Sequence, residues 1–352
     1  MDLFGIFKQA IKRAIKGPKK PIETINLESA RSCNLKCIQC APHGKAIADK
    51  FDRSVTTGIM TLDTFSKILP ILNFADHLNL DIHGEPLLNK DLEKIISLAK
   101  KSAPHLKVSM TSNFTLMNRE RAMSLLKSGL NGIQVSVNGV KKETYEKIMA
   151  GANYERLLEN LSAFSLTRKE VPNQLTSFSA CITTMRSNID ELVMLPSFLS
   201  KYGIKVIRIN SLLPYTPAVL HESMYDDPAW HSRREEIYKE TTEEANRYDI
   251  TVYAVLSRPG LESCQIPVRN LCVSYDGDVC PCFLLDIKGG FSFYYTKEPV
   301  DLPFISFGNV NEREILEIWK SDRYVAYRKA FKDGKLPEYC RMCPVGKGLI
   351  CG

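Results

Sequence analysis

The stretch RSCNLKCIQCAPHG, residues 31–44, sets Cys33, Cys37 and Cys40 within eight positions at C-x3-C-x2-C spacing. Closely spaced thiolates bind metal, but a structural zinc site or an ordinary iron–sulfur cluster takes four protein ligands. Three thiolates leave one iron position free for a ligand from outside the chain, as catalytic zinc sites keep a position free. A zinc knuckle with a distant fourth ligand, or three unrelated buried thiols, are the competing readings.

The loop follows a β-rich run, IETINLES (22–29), the first of six. The others are HLNLDIHG (77–84), LKVSMTS (106–112), GIQVSVNG (132–139), TSFSACITT (176–184) and KVIRINSL (205–212). Helical runs lie between them, at 61–72, 92–102, 119–129, 154–164 and 189–203, with Gly129 and Gly203 where helix C-caps are expected. Six β/α units in series imply parallel strands with right-handed crossovers, two short of a closed eight-stranded barrel. The fold expected is α/β: a partial (β/α)6 TIM barrel spanning 22–255, then a small cysteine-rich α+β domain at 256–352. In such folds ligands sit at the carboxyl ends of the strands, where the three-cysteine loop lies.

Composition narrows the class. The 352 residues are 44% hydrophobic and 25% charged, as in soluble globular proteins, with neither a cleavable signal nor an apolar run long enough to span a bilayer. The 11 cysteines therefore point to metal in the cytoplasm rather than to a secreted disulfide framework. Of the net charge of +7, residues 1–20 contribute +5, so the body is near neutral and no nucleic-acid footprint covers it. Residues 1–21 read as a basic amphipathic helix. It either docks on its own domain or makes a peripheral membrane contact through residues 1–20.

Four further strand ends complete a pattern. DIHGEP (81–86), TSNF (111–114), VSVNG (135–139) and TTMRSNIDEL (183–192) follow the loop in order. With C-x3-C-x2-C, these segments resemble those of the radical S-adenosylmethionine (radical SAM) enzymes. The resemblance covers about residues 22–215 and implies that Cys33, Cys37 and Cys40 hold a [4Fe–4S] cluster whose open iron is chelated by SAM. It further implies SAM contacts from Gly84, Glu85, Pro86, Asn113, Ser136, Asn138 and Arg186. The reduced cluster would cleave SAM to a 5′-deoxyadenosyl radical that abstracts a substrate hydrogen. His83 stands where the family has the first of two glycines, and Gln39 where it often has an aromatic residue.

A second cysteine group lies in the tail: Cys264, Cys282, Cys340 and Cys343, with Gly277 five positions before Cys282. With FGNVNEREILEIWKS (307–321), this resembles the auxiliary-cluster module called SPASM in its longer form and twitch in its shorter one. The resemblance implies one auxiliary [4Fe–4S] cluster on those four cysteines. Cys272, Cys280 and Cys351 remain as spare thiols that a second auxiliary cluster would need. C-x2-C is also zinc spacing, so a tail zinc site stays open. If 279–283 is extended, Cys280 shares a face with Cys282, and its thiol becomes a candidate hydrogen-atom donor.

The reaction expected is dehydrogenation or epimerisation of a hydroxyl-bearing small metabolite of sugar or aminocyclitol type, with an external electron donor such as flavodoxin or ferredoxin. A peptide-modifying maturase is the alternative, although the short stretch before the first strand has no room for a fused leader-binding domain. Outside the enzymes stands a zinc-stabilised binding or scaffold protein.

Overall fold

The computed structural model describes residues 21–44, 53–171, 176–224, 228–254, 264, 266–294 and 298–343. The amphipathic segment at 1–20 and Cys351 lie outside them.

Nine strands form the main sheet: β1 (Ile22–Leu27), β2 (Ala75–Asn79), β3 (Lys107–Ser112), β4 (Gly132–Ser136), β5 (Ser177–Thr184), β6 (Val206–Ser211), β7 (Thr251–Ala254), β8 (Asn270–Val273) and β9 (Val279–Cys280). Their order is β7-β6-β5-β4-β3-β2-β1-β8-β9. Every pair is parallel except β8–β9. The six expected strands are present in series, and the sheet is longer by three. The sequence reading ended the alternation near residue 214; the four-residue β7 and β8 are too short for a periodicity to register.

Pleating sorts each strand into two faces. Along β5, Phe178, Ala180, Ile182 and Thr184 are buried against the helical layer, while the intervening Ser179 and Thr183 face the barrel lumen. Helix 92–102 answers with Leu92, Ile95, Ile96 and Ala99, the 3.6-residue stripe that one buried face requires. The helix at Arg119–Ser128 is capped by the Asn118 side chain and ends at Gly129, φ +102°, as its sequence indicates. Some expected helices are broken. The run at 61–72 splits into Leu62–Ser66 and Leu69–Leu72, with Pro70 in the first turn of the second, and the run at 189–203 opens as a 3₁₀ turn before Leu195–Ser200.

The expected boundary near 255 does not divide the sheet. Strand β8 pairs with β1 in register, Thr24 opposite Asn270 through Leu27 opposite Val273. Leu271, Val273, Val279, Phe307 and Ile318 accordingly share one continuous core with the barrel. A hairpin turn at Asp276–Gly277 joins β8 to β9, with Gly277 at φ +96°.

Candidate functional site

The three-cysteine loop is pinned from both sides by its backbone. Lys36 N–H donates to Ala150 O and Ile38 N–H to Ile148 O, while Glu85 N–H donates to Ser32 O. Cys40 N–H closes a turn onto Cys37 O at 3.1 Å. Burial drives the thiol of Cys33 up to about 11 and that of Cys40 up to about 12, with Cys33 adding to Cys40. Cys37 is raised by burial and then by both other thiols. Three thiolates crowded in a dry loop demand a cation to balance them. Buried polar atoms without a partner among the described residues collect at the same place: Gln39 Oε1, His43 Nε2 and the hydroxyl of Tyr145, a residue whose electrostatic neighbours include Cys37. A bound cluster with an external ligand suits this donor set.

The neighbouring strand ends supply the remaining residues. Gly84 sits at φ +73°, where a Cβ would stand 2.4 Å from Ala30 O, so the turn accepts only glycine. Glu85 is buried and accepts from Ser112 Oγ (2.8 Å), Asn113 N–H (2.7 Å) and Leu87 N–H (3.1 Å), tying the β2 end to the β3 end. Burial raises its carboxyl to about 7. Pro86 opens a short 3₁₀ turn. The Asn113 amide donates to Asn34 Oδ1 at 3.0 Å and lies 4.0 Å from Cys33 Sγ. Asn138 donates to Met149 Sδ and accepts from Thr183 N–H at 2.8 Å. Met149, which the sequence reading passed over, also lies 3.6 Å from Cys37 Sγ. Its only advance signal was a methionine following the strand-four helix.

Not every candidate converges. The Arg186 guanidinium donates to Ser223 O at 2.8 Å and lies 5.2 Å over the Trp230 ring, and it does not line the lumen. His83 is answered more fully: its Nε2 meets Asp286 Oδ1 at 2.9 Å, so this departure from the glycine serves contact with the C-terminal region. Phe114, the last residue of the TSNF segment, takes a left-handed φ of 64°, held between the rings of Phe164 and Phe178.

Inside the barrel is a cavity of about 670 Å³. Asn26, Asn79, Thr111, Gln134, Ser179 and Asn210 give it a polar wall, and Gln39 of the cysteine loop borders it. Ser136 lies beside it, its hydroxyl 3.6 Å from the Cys181 thiol. Asp81 continues the lumen-facing series of His77 and Asn79; its Oδ1 accepts from Thr111 N–H, and burial raises it to about 6.

Cys264, Cys282, Cys340 and Cys343, spread over 80 residues of sequence, line a second, small cavity walled by apolar side chains including Leu284, Leu285 and Phe331. The Leu284 amide lies 3.5 Å from Cys282 Sγ, the kind of donor that tunes a cluster sulfur. Among the described residues, no three His, Cys, Asp or Glu side chains are spaced to hold a single metal ion. Tyr215 stands between the two cysteine groups: it lines the lumen, and its phenol is raised by burial and then by Cys40 and Cys343.

Cys280 does not share the face of Cys282. Strand β9 ends at Cys280 and the chain turns, Leu285 N–H closing onto Cys282 O at 3.0 Å. Cys280 is wholly buried opposite Cys272 and lines neither cavity.

Comparison with known proteins agrees with this geometry. Residues 27–182 match the model of the radical SAM superfamily, and residues 264–344 that of SPASM, an iron–sulfur cluster-binding domain. A tungsten-containing aldehyde ferredoxin oxidoreductase cofactor-modifying protein of Pyrococcus furiosus is 25% identical over 90% of this chain and 86% of its own. A probable GTP 3′,8-cyclase of Methanococcus maripaludis is 27% identical over 76% of this chain and 87% of its own. The solved structure of native anSMEcpe with bound AdoMet shares the fold, with TM-score 0.65 and 17% identity over 93% of this chain and 89% of that one.

Proposed function

The chain belongs to the radical SAM superfamily and carries a SPASM domain, and from that premise we propose that it dehydrogenates or epimerises a hydroxyl-bearing small metabolite of sugar or aminocyclitol type. The cofactors are SAM, an iron–sulfur cluster and an auxiliary iron–sulfur cluster. We assign Cys33, Cys37 and Cys40 to the first cluster and Cys264, Cys282, Cys340 and Cys343 to the auxiliary one. Bound there, these groups supply one-electron chemistry and hydrogen-atom abstraction from a substrate carbon.

The chain's own residues hold and orient. Gly84, Glu85 and Pro86 shape the β2 turn that would hold SAM, and Glu85 fixes that turn to Asn113. Asn113, Ser136 and Asn138 present polar groups around the same space. Oxidising a carbinol carbon to a carbonyl removes a hydrogen atom, one further electron, which the auxiliary cluster would accept, and the hydroxyl proton, for which Asp81 at the end of β2 is the carboxylate in reach of the lumen. An external electron donor completes the cycle.

The observation that carries the reading is the polar lumen bordered by Gln39, whose amide and hydroxyl wall suits a hydroxylated substrate. Anaerobically purified protein should be brown, hold about eight irons per chain, and form 5′-deoxyadenosine from SAM. A colourless protein that binds zinc instead would overturn the assignment.

A further inference from the structure

One cation of the lumen has no partner side chain among the described residues. The lumen wall holds only two formally charged side chains among the described residues, Glu23 and Arg208. Glu23 is neutralised by Arg269, at 2.8 Å. The Arg208 side chain, exposed toward the lumen, makes no ion pair or hydrogen bond with any described residue. Asp81 faces the same lumen, but its carboxylate is turned to the Thr111 amide and makes no ion pair with Arg208.

Register shows where this cation stands. Arg208 lies opposite Cys181 of β5 and Tyr253 of β7, and the alternation of β6 buries Ile207 and Ile209 outward, leaving Arg208 and Asn210 inward. The Cys181 thiol is raised to about 11, chiefly by burial, and both Asp81 and Arg208 act on it. Arg208 thus sits mid-strand in the barrel, beside Ser136 and Cys181, not on the outer helical surface. A planar guanidinium with five donors matches an oxyanion in a two-point fork.

We propose that Arg208 is the substrate's anchor, and that the metabolite taken into the lumen carries an oxyanion, carboxylate or phosphoryl, which the guanidinium grips. This rests on the lumen being the substrate chamber and narrows the substrate class from a neutral polyol to an acidic one. Asn210 and Ser179 flank the fork to meet the substrate's hydroxyls.

The test uses the wild-type, cluster-reconstituted protein. Phenylglyoxal modifies accessible arginines, and the rate at Arg208 is read by mass spectrometry of its peptide, with exposed Arg156 as the internal comparison. Inorganic phosphate or acetate, against chloride at equal ionic strength, should slow Arg208 about fivefold or more when in excess over its dissociation constant, leaving Arg156 unaffected. Protection by phosphate alone identifies a phosphoryl substrate and protection by acetate alone a carboxylate; either supports the anchor. Equal rates in all three salts would overturn it. The iron content of the same sample reports separately on the cluster reading, so a brown protein without protection sinks only the anchor. A colourless protein sinks the cluster reading and leaves the protection result standing on its own.

Discussion

Arg31 and Asp286, 255 positions apart, meet at 3.1 Å in a buried ion pair directly before the three-cysteine loop. The same guanidinium holds Glu28 at 2.8 Å, and Asp286 also takes His83 at 2.9 Å. One carboxylate from the C-terminal region therefore fixes two residues that frame the site, one on the cysteine loop and one on the β2 turn.

Replacing that carboxylate, Asp286→Ala, leaves Arg31 short of a partner and His83 without one in a dry pocket. Breaking one side of a buried pair costs about 3–5 kcal/mol, to be read as a lowered urea midpoint. Burial opposes the charge on His83, and Asp286 overcomes it, raising the histidine above 6.5. Stability from this pair is fully present below pH 6.5 and is lost as pH rises through the folded value. The gap between wild type and Asp286→Ala should therefore narrow on the alkaline side; a pH-independent gap would refute the coupling.

Asp81 carries the same sign for another reason. Its carboxyl is raised from 3.8 to about 6 by burial, so wild type loses stability as pH climbs through that window. Asp81→Asn keeps an acceptor for the Thr111 amide and should gain on wild type between pH 4 and 7, by about 1–3 kcal/mol. Parallel melting curves at both pH values would contradict this.

Removing Cys33, Cys37 and Cys40 together, as alanines, should leave roughly half the iron and no 5′-deoxyadenosine. Removing Cys264, Cys282, Cys340 and Cys343 should cost the other half. SAM cleavage retained in the first variant would be incompatible with the assigned ligands.

The donor role considered for Cys280 is decided by Cys280→Ala with turnover in heavy water. A donating thiol would carry solvent deuterium into the product and the variant would lose it. Burial outside both cavities predicts an unchanged label pattern, with only a small stability loss.

Phe114→Gly would relieve a left-handed φ worth about 1–3 kcal/mol. It also empties a site packed at 5.5 Å and 5.7 Å by two rings, a loss of about 3–5 kcal/mol. The net expectation is destabilisation, measured by thermal unfolding.

How much was legible in the residues follows from the range of each signal. The six barrel strands announced themselves because apolar alternation is local, and the glycine caps because a positive φ is a property of one position. The four tail cysteines could be grouped by spacing, yet their shared cavity could not be read, since it depends on how Phe331 and Leu284 pack. Strand β8 stayed hidden for a related reason: NLCV is strand-like only beside β1. The His83–Asp286 and Arg186–Ser223 contacts are relations across elements, and no short window of sequence contains both partners.

The pairing of β8 with β1 also sets a timetable. The strand that leads into the three-cysteine loop keeps a bare edge until residue 273 has left the ribosome, and Arg31 waits longer still, for Asp286. A nascent chain stopped at the barrel's last helix would expose that edge to neighbouring chains. The frame of the cysteine loop is therefore complete only once residue 286 has been made.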